Sequence, residues 1–175
     1  TIGRDRWQAH LKSRGAHYHD SASALETLHA DAPGVGADIV ALAHHGLAEL
    51  MEIAREHRLT RNQHLLFRLG ELIATVECAE ALARRAIAAA DGSLPEKADL
   101  RFAPDALAAI SRVFAREAAM KVAVDGVRWT VGSAGPGTVD VADLERRARV
   151  TGILAAQSGA VDDMQVVADA VYSAV

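Results

Sequence analysis

All eight histidines of this 175-residue chain fall within its first 64 positions. Imidazole binds metals and moves protons near neutral pH, so these residues come first among those that could do chemistry. Two clusters stand out, His17-Tyr18-His19 and His44-His45. Neighbouring residues on a helix point about 100° apart, which keeps His44 and His45 from chelating one ion together. Surface and packing roles are expected for both. A di-iron carboxylate centre in a helical bundle needs a Glu from each of two helices and a Glu-x-x-His from each of two others. Only Glu26-Thr27-Leu28-His29 has that form, and it lies on a weakly patterned segment. Glu71, Glu77, Glu80 and Glu117 have no His three positions on. A metal-binding bundle using Glu26 and His29 stays an alternative reading, and no metal ligand is assigned.

Four other features invite chemistry and have plainer explanations. Gly132-Ser133-Ala134-Gly135-Pro136-Gly137 is Gly-rich but lacks the Lys-Ser/Thr ending of a phosphate loop and a preceding strand, so it is expected to end a helix. Glu117, Lys121 and Asp125, spaced i, i+4, i+8, form a ladder of alternating charge along a helix edge. Cys78 belongs to no Cys-His constellation and is expected as a small buried hydrophobe. Trp129 is expected to anchor the loop that follows it. No catalytic and no cofactor-binding residue emerges.

The elements that would position these residues are helical. Residues 1–35, with Gly3, Gly15, Pro33 and Gly34 among charged residues, predict an irregular arm or linker, with a short helical patch from Ala22 to Ala30 where Leu25 and Leu28 share a face. Over Ala37 to His57 the residues Val40, Ala43, Leu47, Leu50 and Ala54 alternate spacings of three and four, the buried stripe of an amphipathic helix. Thr60 and Gln63 have the spacing of a capping box. The helix that follows is the most regular in the chain: Leu65, Leu69, Leu72, Val76, Ala79, Ala83, Ala86 and Ala90 keep a 4-3-4-3 rhythm until Asp91-Gly92 stops it. About 30 such residues make a rod of about 45 Å.

After the loop Gly92 to Ala103, Pro104 fits a first helical position. It opens a fourth helix whose stripe reads Ala106, Ile110, Val113, Met120, Val124, Val127 and Val131. Asp140 caps a final helix carrying Leu144, Ala148, Ile153, Leu154, Val161, Met164, Val167, Ala168 and Val171. Nothing reads as a strand. The expectation is an all-α fold, an up-and-down four-helix bundle over residues 36–175 preceded by the irregular arm.

Composition narrows the classes. Length fits one domain on the scale of about 150 residues. Half of the residues are apolar but only 4% are aromatic, which favours helices approaching closely through Ala, Leu and Val. With 19 basic against 23 acidic residues, no excess of positive charge exists to hold a phosphate backbone, and nucleic acid is not an expected partner. One cysteine excludes an intrachain disulfide and a CxxC site, pointing to a reducing compartment. No apolar run reaches about 18 residues and no signal segment opens the chain, so a cytoplasmic protein is expected. Starting at Thr1 rather than Met reads as a piece of a longer chain.

Residues 61–73, RNQHLLFRLGELI, continuing to Arg84-Arg85-Ala86, resemble the opening helix of the helical C-terminal module of acyl-CoA dehydrogenases. Residues 115–126, AREAAMKVAVDG, look like that family's next long helix. The order of helix, loop, helix, Gly turn and helix is similar over residues 37–175. Where the family's catalytic module carries a GGxGY-like flavin turn followed by an aromatic-Glu-Gly segment with the catalytic base, this chain reads GSAGPG followed by Thr138-Val139-Asp140-Val141-Ala142-Asp143. No residue can be carried over as catalytic.

The chain more closely resembles the extra C-terminal helical domain of very-long-chain acyl-CoA dehydrogenases and their bacterial relatives. That resemblance implies a non-catalytic domain whose parent uses FAD to oxidise acyl-CoA, with no cofactor held by this piece. The implied partners are the catalytic body of the same parent chain, a second copy in a homodimer, and a membrane surface touched peripherally. The membrane contact would use the segment His44 to Arg61, where Arg55, Arg58 and Arg61 flank apolar positions. The rival from the enzyme class is a fragment contributing to a flavin or acyl-CoA site completed by another chain.

Overall fold

The structure, a computed structural model, describes residues 2–98 and 101–173. Positions 1, 99–100 and 174–175, which include part of the expected Gly92 to Ala103 loop and the end of the expected bundle, lie outside the described residues. Its helices are α1 (Ile2–Lys12), α2 (Ala16–Asp31), α3 (Ala37–Glu56), α4 (Gln63–Ala90), α5 (Pro104–Lys121), α6 (Val127–Ser133), α7 (Val141–Arg147), α8 (Val150–Ala155) and α9 (Ala160–Ser173). Short 3-10 turns sit at Pro33–Val35 and Leu59–Arg61, and a π turn, Val122–Gly126, joins α5 to α6. The described residues contain no strand, so the fold is all-α.

The centre of the molecule is α3. The predicted row Val40, Ala43, Leu47, Leu50 and Ala54 is buried, and so are Ile39, Ala41, Ala48, Met51 and Ile53 on the other faces. A helix apolar nearly all round has to be enclosed. Here α2, α4, α5, α7 and α8 all pack on it. Close approach depends on Gly46, where a Cβ would stand 2.8 Å from the Ala148 carbonyl oxygen and 2.9 Å from Val122 Cγ1. On α4 the stripe Leu65 through Ala86 is buried as expected, with Ala79, Ala83 and Ala86 turned into the core, while Ala90 is exposed.

Several expectations need correction. The arm over residues 1–35 is not irregular: α1 and α2 fill most of it, and Tyr18, Ala22 and Leu25 of α2 belong to the same core as α3. The helical patch expected at Ala22 to Ala30 is the second half of α2. Polar His17, His19 and Asp20 interrupt the apolar rhythm, and it is packing on α3 that stabilises so weakly patterned a helix. The Thr60 capping box does not form. Thr60 lies in a 3-10 turn, and Asn62 Oδ1 caps α4 by accepting from the His64 and Leu65 amides.

The stripe predicted for the fourth helix is rotated. Ala109, Ala115, Ala118, Ala119 and Val122 face the core, whereas Val124 is exposed. Small residues let α5 approach its neighbours, and the π turn shifts the register after Lys121. The single last helix is three. Asp140 does cap the first of them, Arg149 (φ 57°) separates α7 from α8, and Gly159 (φ 80°) precedes α9.

Candidate functional site

Chemistry-bearing side chains gather on the faces where α1, α2, α3 and α4 meet. Because α3 is enclosed, two adjacent residues on it are both covered. His44 is 1% exposed and His45 7% exposed, so of the expected surface and packing roles these two take packing. They point apart, as the helical geometry requires, and join different clusters.

His44 faces α4. Its Nε2 lies 3.3 Å from Glu80 Oε2, close in distance but not aligned for a hydrogen bond, and neither ring nitrogen has a hydrogen-bond partner among the described residues. Tyr18 meets its ring edge to face, and Tyr18 Oη donates to Glu77 Oε1 at 3.1 Å. Burial pushes the His44 imidazole down to about 4, with the Glu80 charge opposing. Burial and the charge of Glu77 hold the Tyr18 phenol far above its usual range. These groups line a polar cavity of about 370 Å³, bounded also by Arg6, His17, Ser21 and Arg84. Its charges are compensated internally, Arg6 donating to Glu77 at 2.6 Å and Arg84 to Glu80 at 2.9 Å.

His45 faces α2. Its Nδ1 lies 2.7 Å from His19 Nδ1, and its Nε2 lies 3.2 Å from Glu26 Oε1. His19 Nε2 in turn lies 3.2 Å from Glu49 Oε1. Arg147 of α7 closes the far end, donating to Glu49 at 2.7 Å and Glu56 at 3.0 Å. Burial, helped by Arg149, lowers the His45 imidazole. A third buried imidazole, His10 of α1, meets Glu52 Oε1 at 2.7 Å and is likewise lowered by burial. Burial acts to raise Glu52, but hydrogen bonds from Arg55 and His10 outweigh it, so that carboxyl sits below its usual value.

The remaining sequence candidates scatter. Glu26 and His29 do not converge, since Glu26 turns to His45 while His29 Nδ1 lies 3.3 Å from Asp38. Among the described residues, no three His, Cys, Asp or Glu groups are placed to hold one metal ion. Cys78 is exposed on α4, not buried. Lys121 and Asp125 do form an ion pair, 3.2 Å apart. Trp129 is not simply a loop anchor: Arg68 and Arg128 stack on its ring and His64 meets it edge-on, tying α6 to the start of α4. Gly135 to Gly137 form an exposed loop between α6 and α7.

Two apolar surfaces complete the inventory. A groove of about 730 Å³ between α1 and α4 is lined by Trp7, Leu66, Phe67 and Ala74, with Gly3 against Gly70 at the helix crossing. The outer face of α9 displays Val161, Met164, Val171 and Tyr172. No helix of the described residues is long and apolar enough to cross a membrane.

Sequence reasoning missed the partners of the histidines. Glu49 and Glu52 had no usable local signal, because they meet His19 and His10 from other helices and not the histidines of their own helix. Arg6, Tyr18 and Arg147 had none either, being brought in from other helices by packing. No protein-family model, no curated protein and no solved structure matches this chain.

Proposed function

We propose that this chain is a non-catalytic helical domain of an FAD-dependent fatty acyl-CoA dehydrogenase, whose work is to pack against the enzyme's catalytic body. The observation that carries this reading is the outer face of α9. Val161, Met164 and Val171, spaced by three and seven, share one side of the helix, with Tyr172 beside them. The opposite side, at Asp163, is fixed to α5 by two arginines. An amphipathic helix normally turns its apolar row inward. In α9 the buried residue is the charged Asp163, and a helix that turns its apolar row outward offers it to another surface.

The resemblance of residues 61–73 and 115–126 to the family's helical module supplies the kind of surface. In this reading α3, α4, α5 and the last helical segment, α7 to α9, make the up-and-down bundle over residues 36–175, and the parent enzyme alone binds FAD. No residue of this chain is assigned a catalytic role. A homodimer or a lipid surface would bury the same row and is the next partner to test.

The experiment mixes the purified chain with an FAD-loaded acyl-CoA dehydrogenase body lacking an extra tail and follows association by sedimentation. Association is expected, and Val161→Asp with Val171→Asp should abolish it while the helical content stays unchanged. A chain that remains strictly monomeric and indifferent to that body overturns the reading. So does a flavin absorption band that the chain itself retains after desalting.

A further inference from the structure

His44 lines the cavity between α1, α2, α3 and α4 and is covered on all sides, yet neither of its ring nitrogens has a hydrogen-bond partner among the described residues. Buried polar groups are paired almost throughout folded proteins, so such an orphan calls for a partner from outside the chain. The unused capacity around it is mostly of one kind. Glu77 and Glu80, three apart on α4, share the face that walls the same cavity. One oxygen of each is taken. Glu77 Oε1 accepts from Arg6 Nε at 2.6 Å and Tyr18 Oη at 3.1 Å, and Glu80 Oε1 accepts from Arg84 Nε at 2.9 Å. The other oxygens accept no hydrogen bond among the described residues, and Glu80 Oε2 lies 3.3 Å from His44 Nε2 without alignment. The inner end of the cavity is therefore rich in acceptors.

The outer end is cationic. The side chains of Arg6 and Arg84 are 44% and 50% exposed, against 26% and 22% for the two carboxylates. Arg6 donates through Nε alone among the described residues, which leaves its terminal N–H groups for a ligand. Two arginines and two glutamates balance one another, so a lone cation or a lone anion gains little here, whereas a zwitterion gains at both ends.

We propose that this cavity binds a small aliphatic amino acid as its zwitterion, its ammonium group entering between His44 Nε2 and Glu80 Oε2 and its carboxylate meeting Arg6 and Arg84 at the mouth. The volume of about 370 Å³ lies at the small end of ligand sites, which run from about 300 to about 1,000 Å³. Burial pushes the His44 imidazole down to about 4, so the ring is uncharged near neutrality and accepts from an ammonium group rather than repelling it. Both nitrogens are closed off from solvent in the empty cavity, and entry requires Glu80 to turn aside. That movement disturbs only its pairing with Arg84 on the same exposed helix face, a contact of small worth. The site uses no residue of α9 and is independent of what that helix docks on.

The test is calorimetric titration of the full chain near neutral pH, with nitrogen-detected imidazole NMR on the same samples. The probes are L-alanine and γ-aminobutyrate, which hold the two charges at short and long separation, with ethylammonium and propionate carrying one charge each. At least one amino acid is expected to bind saturably and shift the His44 nitrogens, and both single-charge probes should bind on the order of tenfold more weakly. Glu80→Gln and Arg84→Gln should each weaken the amino acid on the order of tenfold with helical content unchanged. If either variant fails to fold, the other and the selectivity of the wild-type chain decide. No saturable binding of either amino acid, ethylammonium or propionate binding as tightly, or binding that leaves the His44 nitrogens unshifted overturns the proposal.

Discussion

His44 Nε2 stands 3.3 Å from Glu80 Oε2 at the wall between α3 and α4, yet the imidazole is kept uncharged near neutrality. Enclosure within the core outweighs the attraction of a carboxylate at that distance, because a charged ring would lose its hydration without gaining an aligned hydrogen bond.

The consequence is acid sensitivity. The unfolded chain binds a proton at His44 with an ordinary value near 6.5, and the folded chain only near 4. Between those limits the unfolded state holds more protons, so stability falls as pH drops from about 6.5 to about 4 and is flat with respect to this group above that range. The size of the effect is on the order of 3 kcal/mol. His10 and His45 are displaced in the same direction and add to it. Urea unfolding at about pH 7 and about pH 5 should show the loss, and His44→Leu should reduce the slope.

Asp163 joins α9 to α5 by accepting from Arg112 Nε at 3.0 Å and Arg116 Nη1 at 2.5 Å. Arg116 also donates to the Ala156 and Ser158 carbonyl oxygens, so the guanidinium organises the turn before α9. Asp163→Asn removes the negative charge between buried Arg116 and partly exposed Arg112 and should cost about 2 kcal/mol. Hydrogen exchange should show the loss first in α9, with α4 protected until global unfolding.

Two glycines should respond in opposite senses. Gly46→Ala drives a Cβ into the Ala148 backbone and the Val122 side chain and should destabilise by about 2 kcal/mol, more than alanine's helix propensity returns. Gly132, within α6, has nothing within 4 Å of a new Cβ. Gly132→Ala should raise stability by about 0.5 kcal/mol. Thermal melts of the pair check both signs.

Asn62→Ala should lower stability by about 1 kcal/mol, since its side chain alone satisfies two amides at the start of α4. Thr60→Ala, three residues before Gln63, should leave the melting temperature within the scatter of ordinary surface changes. Equal losses from the two substitutions would restore the capping box.

What the sequence determined by itself is the helical class, the span of α3 and α4 and the buried stripe of α4, because the 3.6-residue period repeats there over many turns without a breaker. The stop at Gly92 and the start at Asp140 were legible for equally local reasons, a backbone preference and a side chain that caps. Tertiary structure alone decided that α2 is helical from Ala16, that α5 turns Ala109, Ala115, Ala118 and Ala119 inward more fully than Ile110 and Val113, and that α3 is enclosed on nearly every side. It also decided the candidate site. His19 meets His45, and Arg147 meets Glu49, across 26 and 98 residues of chain, and no local spacing encodes such meetings. They arise from helix crossings set by side-chain volume, with Gly46 marking one point of closest approach.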